Sequence, residues 1–386
     1  MRSSAVIIFI TVVLLIYGLV NGYIIWRGTQ AFTDFRALRT IFILFFLFLV
    51  LCFPFGRIIN SRSQSPWSQG LTTIGSYYLA LMIYLFFLLG LKDIISWLAK
   101  SFHLKAASAR FFSSYHLATF SLILLTSLII VYFGHLNAVN PRLKVLDLGI
   151  DKIVPGKSEL RAVMISDIHL GIINRSGRLE SLVQKINQLQ PEVVFLAGDI
   201  VDEAVSKEEE EKMVGQLQKI KAPYGIYACP GNHEYYGGFE KNISYLRKAG
   251  VVVLLDKAVK VQDLFYVIGR KDWAAVRLGE KRLSLEGIIK RDGVDKSRPI
   301  IVLDHQPLHL EEAEKAGVDL QLSGHTHAGQ LFPFNLINKL VYEKNWGYLK
   351  KGQTHIYVSS GAGTWGPAVR TGSRSEIILL CLFFKK

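Results

Sequence analysis

The sequence is poor in cysteine and in acidic residues. The first shortage argues against a disulfide-rich protein, and the second leaves a basic chain whose partners must be considered. Its three cysteines, Cys52, Cys229 and Cys381, form no CxxC pair and lie in apolar stretches. They therefore predict neither a disulfide framework nor a cysteine-based zinc site. Aspartate and glutamate number 31 against 45 lysines and arginines, which gives a net charge of +14. Because no basic helix or aromatic-basic motif of a nucleic-acid-binding module accompanies this excess, we predict no nucleic-acid partner.

Charge is nearly absent from four long apolar runs at the front of the chain. They cover about residues 5–25, 38–55, 71–91 and 118–134, and Arg39 is the one charged residue in them. About 20 apolar residues cross a bilayer, and soluble core helices seldom run that far without charge. The first run is too long for the apolar core of a typical signal peptide, which indicates a retained anchor. We predict a four-helix transmembrane domain over residues 1–140, with buried core helices as the alternative.

From about residue 141, short apolar strands alternate with segments of helical periodicity. Helices are predicted near residues 176–190 and 206–221. Strands are predicted near residues 161–166, 192–197, 224–229, 251–255, 264–269, 300–303, 320–322, 355–359 and 376–384. A single doubly wound sheet would leave the late, helix-poor strands uncovered. We therefore predict, over residues 141–386, an α/β domain built as a two-sheet β-sandwich flanked by helices.

Polar clusters follow the predicted strands at their carboxyl ends, where α/β folds bind ligands. They are Asp167-Ile168-His169, Gly198-Asp199-Ile200-Val201-Asp202, Gly231-Asn232-His233-Glu234, His305 and Gly324-His325-Thr326-His327. Carboxylate and amide oxygens combined with imidazoles are suitable ligands for a binuclear site. The glycines allow the close turns that bring these loops together. The pattern therefore predicts a site for two divalent metal ions.

This ordered series of DxH, GDxxD, GNHE, a single His and GHxH resembles the calcineurin-like metallophosphoesterase superfamily over about residues 160–370. It is most similar to the bacterial membrane-anchored branch with a GHTHGGQ-type motif, which here runs from Gly324 to Gln330. Ala328 replaces the usual glycine of that motif, a change that removes no ligand. One element alone is common, but five in this order are hard to obtain by chance.

The resemblance implies roles for nine side chains. The first metal ion would be held by Asp167, His169, Asp199 and His327. Asp199 would also bridge to the second metal ion, whose other ligands would be Asn232, His305 and His325. His233 would face the leaving group as an acid or charge stabiliser, and Asp202 would orient its imidazole. Glu234 is predicted to be a structural hydrogen-bonding partner rather than a base.

The implied reaction is hydrolysis of a phosphoester or pyrophosphate bond by attack of a metal-bridging hydroxide. The enzyme would be a phosphodiesterase, phosphomonoesterase or pyrophosphatase, and its mixed nitrogen and oxygen ligands would accept manganese, iron, zinc or cobalt alike. Since the superfamily includes UDP-2,3-diacylglucosamine hydrolases, a lipid or nucleotide-linked lipid precursor is one substrate option. The alternative is a membrane sensor or receptor without turnover, although the apolar runs hold no acidic residue that would mark an ion pathway.

The distribution of basic residues predicts the side of the membrane on which this domain lies. With four spans both chain ends share a side, and the loops on the other side hold seven basic residues against five. The seven are Arg27, Arg36, Arg39, Lys92, Lys100, Lys105 and Arg110, and the five are Arg2, Arg57, Arg62, Arg142 and Lys144. The positive-inside rule therefore predicts a multi-pass protein of the inner or plasma membrane with an extracytoplasmic catalytic domain.

Residues 331–349, directly after the last histidine loop, are rich in apolar and aromatic side chains with lysines interspersed. Two interpretations remain open: these residues fill the core between late strands, or they form an apolar-basic flap at the lipid headgroup level. Two similar alternatives concern Asn174 and Arg175, which either bind substrate phosphate or are plain loop residues. His309 and His355 are predicted to be surface or strand histidines rather than ligands.

Overall fold

The computed structural model describes residues 2–102, 115–202 and 205–385. The chain separates into two compact units, Met1–Phe133 and Gly134–Lys386. The boundary falls inside the fourth long helix, so the second unit begins with residues 134–139 of that helix.

Four long helices contain the apolar runs. They are α1 (Arg2–Thr29), α2 (Arg36–Arg62), α3 (Pro66–Ser101) and α4 (His116–Val139), with a 3₁₀ turn at Gln30–Phe32. All four are long and apolar enough to cross a membrane, which confirms the predicted four helices. Lys92 and Lys100, which we expected in a loop, lie inside α3 because that helix continues past its apolar run. Lys105 and Arg110 lie outside the described residues.

Small residues allow α2 and α3 to pack closely. A Cβ atom at Gly56 would lie 2.6 Å from the backbone nitrogen of Thr72, and one at Gly75 would lie 2.2 Å from that of Phe53. Such small residues are typical of helix interfaces within membranes, where close backbone approach maximises van der Waals contact. This packing is consistent with a membrane bundle rather than with four unrelated anchors.

The second unit contains two six-stranded sheets. The first has the order β1-β12-β2-β3-β4-β5 and the second β10-β11-β9-β8-β7-β6. The strands are β1 (Arg142–Ile153), β2 (Glu159–Ile165), β3 (Val193–Ala197), β4 (Ile226–Cys229), β5 (Val252–Val253), β6 (Lys257–Val261), β7 (Phe265–Gly269), β8 (Ile300–Leu303), β9 (Leu320–Ser323), β10 (Gly347–Lys351), β11 (Thr354–Val358) and β12 (Glu376–Lys385).

In the described part of this unit, eight helices accompany the sheets. They are α5 (Ser176–Gln188), α6 (Lys207–Leu217), α7 (Asn232–Tyr236), α8 (Phe239–Lys248), α9 (Trp273–Arg277), α10 (Leu285–Arg291), α11 (Glu311–Ala316) and α12 (Phe334–Val341). Alternate residues of each strand face opposite layers. In β3, Phe195 lies in the apolar core between the sheets, whereas Val194 and Leu196 contact the layer formed by α5, α6 and α8. Helices α10 and α11 cover the outer face of the second sheet. The predicted two-sheet sandwich flanked by helices is therefore confirmed.

Parts of this architecture differ from the sequence prediction. Strands β1, β6 and β10 were not predicted, and the late half contains more helices than we expected. The edge strand β1 buries only Leu148 and Ile150, and charged residues interrupt its apolar pattern. Helices α9, α10 and α11 have five to seven residues each, too few to show a helical periodicity in the sequence.

Candidate metal centre

The strands that precede the polar clusters end at the same edges of their sheets. In the first sheet β2, β3 and β4 are parallel neighbours, and in the second sheet β8 and β9 are parallel neighbours. Parallel strands place their carboxyl ends together, so the loops that follow them converge. Six of the seven candidate ligands lie in these loops, and Asn232 is the first residue of helix α7, directly after the loop that follows β4. The six are Asp167, His169, Asp199, His305, His325 and His327.

The side chains form three overlapping groups, each with ligand atoms within 4.8 Å of one another. The groups are Asp167, His169 and His327; His169, Asp199 and His233; and Asp199, His305 and His325. The first and third contain members of the two expected ligand sets, and Asp199 belongs to the second and third. A carboxylate placed between two groups of nitrogen ligands is suited to bridging two cations. His233, which the resemblance assigns to the leaving group and not to a metal ion, lies beside His169 and Asp199.

Several contacts at the site bring potential metal-ligand atoms face to face. The His305 Nδ1 atom lies 2.8 Å from the carbonyl oxygen of Ala197, so in the neutral ring Nδ1 donates and Nε2 carries a lone pair. That Nε2 atom lies 3.0 Å from Asp199 Oδ2, also an acceptor. His169 Nε2 and His327 Nε2 are also 3.0 Å apart, a distance at which one ring can donate to the other or both can contact one cation. A metal ion satisfies such facing lone pairs without a proton.

Buried polar atoms support the same conclusion. Among the described residues, Asn232 Oδ1 has no hydrogen-bond partner although it is buried. Asp167 and Asp199 are also buried, and His327 Nε2 lies 3.3 Å from Asp167 Oδ1. An unpaired amide oxygen and two adjacent carboxylates are costly to bury unless a charge compensates them. The residues present therefore fit divalent cations.

The backbone around the site is held in an unusual conformation. Five candidate ligands have positive φ angles: Asp167, His169 and Asp199 at 52°, His325 at 71° and His327 at 49°. The left-handed region costs a residue with a side chain about 1–3 kcal/mol, and such strain concentrates at functional sites. Asp167 and His169, and likewise His325 and His327, are separated by one residue, and both members of each pair have this conformation. Both side chains of a pair can therefore reach the same centre.

Two glycines are required by close approach to the carboxylates. A Cβ atom at Gly231 would lie 2.2 Å from Asp199 Oδ1, and one at Gly324 would lie 2.3 Å from Asp167 Oδ2. Real Cβ atoms essentially never come closer than 3.0 Å to a heavy atom outside their own residue and its chain neighbours. Glycine at these positions therefore creates the space that the two carboxylates occupy.

His233 and Asp202 form a pair at the open side of the centre. Asp202 Oδ1 is hydrogen-bonded to His233 Nδ1, and both side chains retain partial exposure. Burial alone would lower the pKa of His233, but the hydrogen bond with Asp202 and the charge of Asp199 raise it to about 9. Burial alone would raise the pKa of Asp202, but the nearby His169 ring and the hydrogen bond with His233 hold it below its usual range. An oriented imidazole that carries a proton can donate it to an anion.

Glu234 has the structural role that the sequence indicated. Its Oε1 accepts hydrogen bonds from the backbone nitrogens of Ile200 and Val201 at 2.7 and 2.8 Å. Its Oε2 accepts from those of Asp199 and Gly231 at 3.0 and 2.6 Å. Burial, followed by the charge of Asp199, raises the pKa of this carboxyl to about 7. With four backbone donors around its oxygens, Glu234 connects the loops after β3 and β4.

Arg370 is a buried residue of the site that sequence analysis missed. Its Nη2 atom lies 3.0 Å from His327 Nδ1 and donates to the carbonyl oxygen of Gly363 at 2.7 Å. Burial lowers the pKa of this guanidinium to about 9, although Asp167 acts in the opposite direction. The signal in the sequence was an arginine within the glycine-rich stretch that follows β11. Arginine is seldom fully buried unless it is paired, so its burial here indicates a role at the site.

The remaining predicted positions lie away from the ligands or act within loops. His309 is exposed near Glu311, and His355 lies in β11 with its ring between Tyr348 and the Gly149 carbonyl. Asn174 is buried and donates to the carbonyls of His169 and Thr364, so it fixes the loop after β2. Arg175 Nε donates to the Ile172 carbonyl at 2.9 Å.

Most of residues 331–349 do not fill the core. None of the residues of α12 is buried. The exposed apolar side chains of this segment are Phe332, Phe334, Leu336, Ile337, Leu340, Val341, Trp346 and Tyr348. Only the two ends contribute to the core, since Leu331 is buried and Leu349 packs against a buried cluster. The core interpretation is therefore wrong for α12.

Known proteins resemble this chain over the part that contains the candidate metal centre. A family model described as calcineurin-like phosphoesterase matches residues 160–329. An uncharacterised metallophosphoesterase of Campylobacter jejuni is 32% identical over 388 residues, which cover 98% of this chain and 99% of that protein. An uncharacterised metallophosphoesterase of Helicobacter pylori is 34% identical over 247 residues, or 64% of this chain and 65% of that protein. A transmembrane protein with metallophosphoesterase domain from Danio rerio is 33% identical over 273 residues, 68% of this chain and 62% of that protein. The match thus spans slightly less than two-thirds of the length of the last two relatives.

Proposed function

The chain belongs to the calcineurin-like phosphoesterase family, and on that premise we propose that it is a membrane-anchored phosphohydrolase with a binuclear metal centre. The observation that carries this proposal is the convergence of six candidate ligands and His233 from five strand ends, with Asp199 shared between two groups. Asp167, His169, Asp199 and His327 would hold one divalent cation. Asn232, His305 and His325, together with Asp199, would hold the other.

The charges of the site favour an anionic substrate. When bound, two divalent cations supply Lewis acidity to the phosphoryl oxygens and acidify water for attack on phosphorus. Two aspartates balance only half of the charge of two such cations, so the site keeps a positive charge that attracts a phosphate group. Manganese, iron, zinc and cobalt all suit this mixture of nitrogen and oxygen ligands.

The protein's own acid would be His233. Because Asp202 holds the ring at Nδ1, the Nε2 atom is the one that can donate a proton to the leaving-group oxygen. Asp202 acts through His233, by fixing its orientation and favouring its protonated form. Such general acid catalysis contributes about 10²–10⁴-fold to the rate.

The four apolar helices indicate a multi-pass membrane protein. We assign the catalytic unit to the extracytoplasmic side of an inner or plasma membrane, since the positive-inside rule supports that orientation. The substrate would be a phosphoester or pyrophosphate of a lipid or of a nucleotide-linked lipid precursor. Support for a lipid comes from α12, which exposes apolar side chains beside the loop that holds His325 and His327.

Metal content measured beside turnover tests the metal centre and the acid separately. Full-length protein in lipid nanodiscs with manganese should release phosphate from at least one member of a panel of nucleotides, sugar nucleotides and phospholipids. Chelation with EDTA should abolish this activity. Asp199→Asn and Asp167→Ala should lose both metal and activity, whereas His233→Ala should keep its metal and turn over about 10²–10⁴-fold more slowly. A fully active His233→Ala protein would contradict its role, and ligand binding without any turnover would favour a sensor.

A triple polar variant tests the lipid substrate. Phe334→Gln, Ile337→Gln and Leu340→Gln should together lower turnover of a lipid phosphoester at least tenfold more than turnover of a small chromogenic phosphodiester. The reason is that only the lipid would need an apolar surface on its path to the metals. Equal loss on both substrates, with a lower melting temperature, would remove the support for a lipid.

A further inference from the structure

Helix α12 has the reverse of the polarity expected on a soluble protein surface. Its two asparagines face the protein: Asn338 Nδ2 donates to the Thr326 carbonyl, and the backbone of Asn335 lies against Gly329. Its apolar residues face away, and Leu340 is 88% exposed. A surface helix normally buries its apolar stripe and exposes its polar face. A contiguous exposed apolar surface of this kind marks an interaction site.

Other exposed aromatic residues enlarge this surface. Trp365 lies beside the start of the segment, because Gln330 Nε2 donates to its carbonyl at 3.0 Å. Phe332 and Trp346, on either side of α12, are also exposed. We call the exposed side chains of α12 together with these three aromatic residues the apolar face. Tryptophan and phenylalanine edged by lysine, here Lys339 within α12, are typical of segments that lie at a membrane surface.

The apolar face lies near the point where α4 ends, within the second unit. The carbonyl of Gly134 in α4 accepts a hydrogen bond from the Arg370 nitrogen at 2.8 Å. The next residue, Thr371, donates its backbone N–H to the Gln330 carbonyl at 3.0 Å and accepts from the Phe332 nitrogen at 2.9 Å. The last turns of an apolar helix long enough to span a membrane therefore connect through one short segment to the start of the apolar face.

The opposite side of α12 contacts the metal centre. Tyr342, the residue after the helix, packs edge-on against the His325 ring with centroids 6.1 Å apart. Thr326, between the two histidines, accepts from Asn338 and donates its hydroxyl to the Asn345 carbonyl at 2.5 Å. The same short helix thus contacts the candidate ligand loop on one side and presents the apolar face on the other.

We propose that the apolar face inserts into the headgroup region of the bilayer that the chain itself spans. A bilayer fits this face because the chain has four apolar helices, because the face connects to the end of α4, and because Lys339 lies within α12. An amphipathic helix in this position buries its apolar side chains about 5–10 Å into the boundary between headgroups and acyl chains. The metal centre would then open close to the level of lipid phosphates.

Depth-dependent quenching tests this placement on the full-length chain. A Leu340→Cys variant would carry an environment-sensitive fluorophore, and the protein would be reconstituted in vesicles of phosphatidylglycerol and phosphatidylcholine. The three native cysteines are buried and should not react. The matched control is Ile153→Cys, an exposed aliphatic position at the far end of β1, about 36 Å along that strand from Arg142 at ~3.3 Å per residue.

The labelled Leu340→Cys protein should lose on the order of half its fluorescence when the lipids carry a spin label at the fifth carbon of the acyl chain. The Ile153→Cys label should be unaffected by the same lipids. Equal quenching at the two positions, or none at either, would overturn the proposal. A third outcome would also overturn the proposal: the Leu340 label is shielded from water only at high protein-to-lipid ratio, and the spin-labelled lipids do not quench it. A second copy of the chain, and not the bilayer, would then cover the apolar face.

Discussion

Replacing Glu234 with glutamine tests whether the site is held together by a buried carboxylate. The two side chains have nearly the same shape, so the change removes charge and acceptor capacity without creating a cavity. Four backbone N–H groups converge on the carboxylate, two on each oxygen. Whichever way the amide is turned, its NH₂ group meets two donors and can accept from neither. Two hydrogen bonds to a charged acceptor are therefore lost.

The magnitude follows from those two bonds. A hydrogen bond to a charged group contributes about 1.5–3 kcal/mol, which gives about 3–6 kcal/mol for the pair. The neutral amide avoids the desolvation of a buried carboxylate, so we expect a loss near the lower end, about 3 kcal/mol. For a domain of this size, that corresponds to a fall in melting temperature of about 6–12 °C. Because the donors belong to the loops that carry Asp199 and Asn232, metal affinity should also fall about 10–100-fold.

Thermal unfolding in detergent, measured beside metal content, checks both expectations. The matched control is Glu240→Gln, which makes the same chemical change at an exposed position six residues later. An exposed substitution should change stability by about 0.5 kcal/mol or less. If Glu234→Gln melts within 2 °C of the control, about the effect of an exposed substitution, and retains its metal, the carboxylate does not hold the two loops together.

Two further predictions concern packing and topology. Gly231→Ala should lose metal and activity because its Cβ would displace the Asp199 carboxylate, whereas Gly215→Ala, with nothing within 4 Å of the new atom, should remain active and gain about 0.5–1 kcal/mol of stability in helix α6. Metal analysis and melting temperatures of the two proteins would contradict the packing argument if they were alike. For topology, a reporter enzyme fused after Lys386 that works only outside the cytoplasm should be active, and activity of a cytosol-only reporter at the same position would reverse the assigned orientation.

The sequence predicted that the polar clusters converge because strand ends are readable, whereas the individual ligand roles were implied by the family resemblance and stay a prediction. The apolar strands β2, β3, β4, β8 and β9 are each followed by a polar cluster, and parallel neighbours must end at one edge. That argument needs only the order of strands and loops along the chain. The strand-end argument does not use side-chain geometry. It therefore located the polar clusters but could not show that the His233 ring lies beside His169 and Asp199.

The residues that the sequence did not reveal act through tertiary contacts. Arg370 lies 43 residues after His327, and its burial beside that ring depends on how the chain returns to the sheets after β11. The edge strand β1 escaped detection because its charged residues are compatible with an exposed edge. The short helices α9 to α11 are too brief for their periodicity to be seen. In each case local pattern is weak and packing decides the structure.

The candidate metal centre and helix α12 differ in how firmly the fold holds them. Most of the candidate ligands stand on loops held by two sheets, by Glu234 and by left-handed backbone turns. Helix α12 differs in kind, because it exposes apolar residues and contacts the His325 loop through Asn335, Asn338 and the following Tyr342. The reversed polarity of α12 is the observation on which the proposed lipid substrate rests, because a substrate held in a lipid surface would need apolar surface on its path to the candidate metal centre and a small soluble one would not.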